Sequence, residues 1–169
     1  FILSRSNMFG SGAVSFHWTG DNYADWAFLE TSISEIFNFQ LFGIPFTGVD
    51  ICGFAGNTTE ELCTRFMQAG AFYPFSRNHN SIDAISQEPY AWGKDSTVFK
   101  ASKASLKLRY SLLKWYYSLF VRNNGTGSVF RPLFFEFQND PWVYELFDQF
   151  LLGKELMIAP VLEQNVTTN

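Results

Sequence analysis

The chain has 169 residues, 47% of them apolar, and a net charge of −4 spread along its length. That composition supplies a packed core and excludes a disordered chain and a basic nucleic-acid surface. No run of ~18 apolar residues is present, which excludes a membrane-spanning helix in this segment.

In chain order, "FILSRS" at 1–6 reads as a short strand closed by Arg5, and "GSGAVS" at 10–15 is a Gly/Ser-rich connection. In "DNYADWAFLETSISEIFNFQLFG", Trp26, Leu29, Ile33, Ile36 and Phe37 recur at helical spacing, and Gly43 can end the helix. "IPFTGVD" at 44–50 reads as a buried strand closed by Asp50. Thr58 with Glu61 predicts a capping box opening the next helix. "FYPF" at 72–75 is a brief strand candidate, followed by a polar, turn-rich loop over 76–95. A long amphipathic helix is expected over 96–125 and a strand over 128–137. "LFDQFLLG" and a strand-like "LMIAPVLE" complete the pattern.

Strands alternating with helices predict a parallel sheet with helical crossovers, whose site lies in the loops after the strand C-termini. The polar groups at Arg5, Asp50 and "SRNHN" fall there. Four such strands leave open edges, so the chain is expected to be a fragment of a longer protein.

Aromatic side chains are dense, with 20 Phe, 7 Tyr and 5 Trp. Most belong by type to a Phe-rich core; a few suit a sugar site, where ring faces stack on C–H surfaces. Cys52 and Cys63 stand beside three sequons, at Asn57, Asn124 and Asn165. The combination favours an oxidising, secretory compartment, with two buried free thiols in a cytosolic protein as the alternative. There is no P-loop, dinucleotide-binding glycine fingerprint, CxxC or Gly-x-Ser-x-Gly, and His17 and His79 lack metal-ligand spacing. What remains is carboxylates at strand ends among aromatics and an arginine. That set suits glycosidic bond cleavage, in which one carboxyl protonates the leaving oxygen and another attacks or activates water. By residue type alone, Asp21 reads first as an Asx-turn or a helix N-cap, because Asp is common in turns.

"SRSNMFGSG", "HWTGDN", "FGIPFTGVDICGF", "GAFYPFSRNHN" and "RPLFFEF" together, and in this order, resemble glycoside hydrolase family 31. "DICGF" and "SRNHN" look like the lysosomal, intestinal and secreted α-glucosidases more than the endoplasmic-reticulum glucosidase II branch or the bacterial α-xylosidases. The resemblance implies an α/β fold: 1–137 as the C-terminal part of a (β/α)8 TIM barrel and 138–169 as the start of a β-sandwich domain. It implies Asp21 as general acid/base, a role in which an apolar shelf such as Trp18 favours the protonated form. Arg5, Trp18, Asp50, Phe54 and His79 become substrate-binding residues, Arg77 a structural one, and Cys52–Cys63 a disulfide beside the pocket.

The family nucleophile lies in a "W-x-D-M-N-E"-like segment that this chain does not contain. The 169 residues alone are therefore expected to be inactive, the rest of the parent chain being needed to complete the barrel. The activity implied is that of a retaining α-glucosidase acting on maltose-like α-1,4 ends, with no metal or organic cofactor, in a lysosomal, vacuolar or extracellular setting. Alternatives are a non-catalytic carbohydrate-binding homologue, or another specificity in the family such as α-xylosidase or transglucosylase.

Overall fold

A computed structural model describes residues 1–122 and 124–167. Asn123, inside the helix expected over 96–125, and residues 168–169 of the expected β-domain lie outside the described residues.

The first half is a parallel β/α array. Strands β1 (Leu3–Ser4), β2 (Phe16–Trp18) and β3 (Thr47–Gly48) pair in that order, Leu3 opposite Phe16 and His17 opposite Thr47. Past Val49 the same run continues as β4 (Asp50–Ile51), which pairs in parallel with β5 (Arg77–Asn78). Gly48 makes this handover possible. A Cβ there would sit 1.9 Å from the Phe75 carbonyl oxygen, so only glycine lets the incoming chain approach.

Helix α1 (Trp26–Leu41) crosses from β2 to β3, and α2 (Glu60–Gly70) from β4 to β5. The face read from spacing is the buried one: Leu29, Ile33, Ile36 and Phe37 pack with Leu62, Phe66 and Met67 of α2 and with Val49 and Ile51. The Phe-rich core is real at Phe66, Phe130 and Phe150, whereas Phe9 and Phe42 are largely exposed.

Four local expectations are corrected. The α2 cap is Thr59, one residue later than expected: its Oγ1 accepts from the Leu62 amide, while Glu61 accepts from the Asn165 amide. "FYPF" bends instead of forming a strand, because the Tyr73 and Pro74 carbonyls accept from the Arg109 guanidinium and not from a neighbouring strand. The expected long helix is two, α3 (Thr97–Ser111) and α4 (Leu113–Arg122). At the break the Leu112 amide is shared between the Leu108 and Arg109 carbonyls. On its two sides, Arg109 and the Tyr116 hydroxyl are both tied to carbonyls of the 71–74 bend. Finally, the strand expected over 128–137 is only β6 (Phe130–Arg131); Pro132, which has no N–H, ends it, and a 3-10 turn follows.

Strand β6 pairs antiparallel with β7 (Phe150–Leu152), and β7 with β8 (Leu156–Ile158). This sheet joins the main core by stacking Phe130 on Phe150, ring centroids 4.0 Å apart, beside Phe37. Gln40 of α1 completes the joint. Its buried carboxamide oxygen accepts from the Val129 and Phe130 amides.

Candidate active site

Parallel pairing brings the C-terminal ends of β1, β2, β4 and β5 to one edge. Arg5 follows β1, Trp18 ends β2 with Asp21 in the turn beyond, Asp50 opens β4 with Phe54 after it, and His79 follows Arg77 and Asn78 of β5. Residues far apart in sequence are therefore neighbours.

Asp21 caps no helix; the α1 N-cap is Asp25, whose Oδ1 accepts from the Phe28 amide. The Asp21 carboxylate is half-exposed and reachable, its Oδ2 lying 3.4 Å from Arg5 Nη1. Gly20, at φ +91°, makes that contact possible: a Cβ there would press on the Arg5 guanidinium at 2.9 Å.

Asp50 is the opposite kind of carboxylate, fully buried. Its Oδ1 accepts from Arg77 Nε at 3.2 Å and from Nη2 at 2.5 Å, while Oδ2 is buried without a hydrogen-bond partner. Burial pushes the Asp50 pKa up and outweighs the opposing pull of Arg77; the charges of His79 and Asp21 also reach it. Arg77 lies 5.2 Å from the Trp18 ring and 5.4 Å from that of Phe75. The Phe54 and His79 rings stand 5.2 Å apart. Every substrate-binding candidate is thus linked: Arg5 to Asp21, Asp50 through Arg77 to Trp18, and His79 to Phe54. Among the described residues no group of three or more His, Cys, Asp or Glu side chains could hold a metal ion. His17 is a buried structural residue, its Nδ1 2.8 Å from the Ser4 carbonyl oxygen and its pKa lowered by burial.

Cys52 and Cys63 form the expected disulfide, tying the turn that carries Phe54 to α2. Cys52 and Gly53 both take positive φ, 76° and 90°, and a Cβ on Gly53 would lie 2.3 Å from Ala24 Cα. This turn therefore packs directly on the chain that carries Asp21. Replacing both cysteines with serine in the full-length protein should cost ~3 kcal/mol of local stability, the entropy of so short a closed loop. A lowered urea midpoint for loss of activity checks it, and an unchanged midpoint would refute it.

Two residues of the site escaped the sequence reasoning. Asn22 and Gln87 are both buried, and both spend their carboxamides on main-chain groups of the 50–54 turn. Polar side chains beside Gly and Pro look like solvated turn residues, and only the fold shows what they hold. The three sequon asparagines, Asn57, Asn124 and Asn165, are all exposed.

Comparison with known proteins agrees over the whole chain. The model of the glycosyl hydrolases family 31 TIM-barrel domain matches residues 1–119, and that of the glycosyl hydrolase family 31 C-terminal domain residues 126–169. A lysosomal acid alpha-glucosidase of Tetrahymena pyriformis is 59% identical over 167 residues, covering 99% of this chain and 18% of the relative. An alpha-glucosidase of Aspergillus oryzae is 50% identical over 169 residues, 99% of this chain and 17% of its own length. Among solved structures, an ER glucosidase II heterodimeric complex superposes with a TM-score of 0.90 at 37% identity, over 98% of this chain and 18% of that one. A family 31 alpha-glucosidase from Bacteroides thetaiotaomicron does so with 0.88 at 36%, over 95% and 27%. The chain spans less than a fifth of the curated relatives described here.

Proposed function

Because this chain belongs to glycoside hydrolase family 31, we propose that it is the part of a retaining α-glucosidase that carries the proton donor and much of the sugar pocket. The observation that carries this is the contrast between two neighbouring carboxylates, Asp21 accessible beside Arg5 and Asp50 buried on Arg77 with one oxygen unpaired.

Asp21 gives its proton to the glycosidic oxygen as the anomeric bond breaks. A carboxylate from another part of the full-length protein attacks the anomeric carbon, and Asp21, now ionised, takes a proton from the water that releases the sugar. Arg5 orients Asp21 and donates to a sugar hydroxyl. Asp50 Oδ2 accepts from a second hydroxyl, the aromatic faces of Trp18 and Phe54 form the wall, and His79 donates from the floor.

The domain division, expected after residue 137, we place earlier, in the stretch between α4 and β6. Its support is that, among the described residues, β6 pairs with β7 and with no strand of the parallel sheet. A lysosomal, vacuolar or secreted setting is supported by the disulfide, the exposed sequons and the named location of the Tetrahymena relative. No described helix is long and apolar enough to cross a membrane.

The test is hydrolysis of maltose and of an α-xyloside by the full-length protein, with the anomer first released followed by NMR. Faster turnover of maltose and initial α-glucose are expected. Preference for the xyloside would assign another specificity, initial β-glucose would exclude the retaining mechanism, and no turnover would favour a non-catalytic sugar-binding protein.

A further inference from the structure

We infer that Asn22 is a positioning residue whose carboxamide sets the placement of the proton donor against the loop that holds the sugar; this rests on the role proposed above for Asp21. Asn22 is only 3% exposed. Its Nδ2 donates to the Asp50 carbonyl oxygen at 3.0 Å, and its Oδ1 accepts from the Phe54 amide at 3.2 Å. One partner is an acceptor and the other a donor, which fixes the orientation of the amide. The Asn22 carbonyl oxygen also accepts from the Phe54 and Ala55 amides, and the Ala24 amide donates to the Ala55 carbonyl. One side chain, next in sequence to Asp21, therefore spans both ends of the turn that bears Asp50 and Phe54.

The two sides of this joint are held unequally. The 50–54 turn has anchors of its own. Gln87 Nε2 donates to the Ile51 and Gly53 carbonyls, the disulfide holds Cys52, and Arg77 holds Asp50. The Asp21 carboxylate has a single ion pair, with both partners about half-exposed, and a pair of that kind restrains little. Loss of the Asn22 carboxamide thus removes the side-chain tie at the Asp50 end and leaves the donor segment on the main-chain bonds of Asn22 and Ala24 to Phe54 and Ala55, so the donor can shift while the sugar-holding turn keeps its own anchors. A shift of about 1 Å in a reacting group can cost ~10²-fold in rate.

The placement makes the effect depend on the leaving group, which a purely structural role would not do. Asn22→Ala in the full-length protein is expected to lower kcat/KM on maltose by roughly 10²-fold and on α-glucosyl fluoride, whose leaving group needs little protonation, by less than about 10-fold. Asn22→Ser keeps a hydroxyl that can donate or accept, adds no charge, and is too short to span both the Asp50 carbonyl and the Phe54 amide. It should show the same imbalance more weakly, and it carries the test if the alanine variant does not fold. Asp21→Asn is measured beside them. Equal losses on both substrates, or none, for the Asn22 variants while Asp21→Asn discriminates between them would overturn this inference alone. If Asp21→Asn also fails to discriminate, the donor role falls and takes the inference with it.

Discussion

Asp21→Asn in the full-length protein is expected to lower kcat/KM on maltose by about 10²–10⁴-fold while leaving the fold intact. The amide has nearly the shape of the carboxyl and can still contact Arg5, but it has no proton to give. A sugar alkoxide is a poor leaving group and needs that proton as the bond breaks. An activated substrate such as α-glucosyl fluoride needs little help, so its first step should lose far less. The half-exposed position of Asp21 makes the test clean, because its ion pair with Arg5 is itself about half-exposed and contributes little to the fold. Equal losses on both substrates, together with a lowered melting temperature, would return Asp21 to the status of a turn residue.

Arg77→Leu should have the largest effect on stability. Asp50 is fully buried, and Arg77 is the cation that accompanies it. Leucine would leave a desolvated carboxylate without a partner, at a cost of ~3 kcal/mol, toward the low end for breaking a buried pair because Arg77 is itself partly exposed. The pH dependence has a definite sign. Burial already holds the Asp50 pKa above its ordinary value, and losing Arg77 raises it further. A group whose folded-state pKa is raised stabilises the fold below its unfolded-state pKa, and that contribution is lost as pH rises through the folded value. The penalty of Arg77→Leu should therefore be greatest near neutral pH and shrink in acid. Urea midpoints for loss of activity at about pH 4 and pH 7 measure this, and an equal loss at both would refute the buried-charge account. Arg77→Lys keeps the charge but not the two-nitrogen contact or the guanidinium beside the Trp18 and Phe75 rings, so its loss should be intermediate.

The sequence by itself determined a good deal. The apolar period of α1 identified Leu29, Ile33, Ile36 and Phe37 as its core face, since a helix must bury one stripe and residue type alone reports it. Alternation of strands with helices pointed to parallel pairing, and the polar residues at strand ends marked the edge where Arg5, Asp21, Asp50 and His79 come together. The short motifs carried the family, because each occupies a strand–loop junction where backbone shape and chemistry jointly restrict the residue.

Tertiary structure decided the rest. The strand candidate at "FYPF" became a bend because Arg109, more than thirty residues away, takes its carbonyls. The stretch over 128–137 has strand-like composition, but its pairing with β7 and not with the parallel sheet depends on residues 150–152. Asn22 and Gln87 look like turn residues and are instead buried clamps, because the carbonyls and amides they satisfy lie on other loops. Local pattern reports which face a segment must bury and which backbone shapes it can adopt. Which distant polar groups must find each other once water is excluded is settled only when the elements pack.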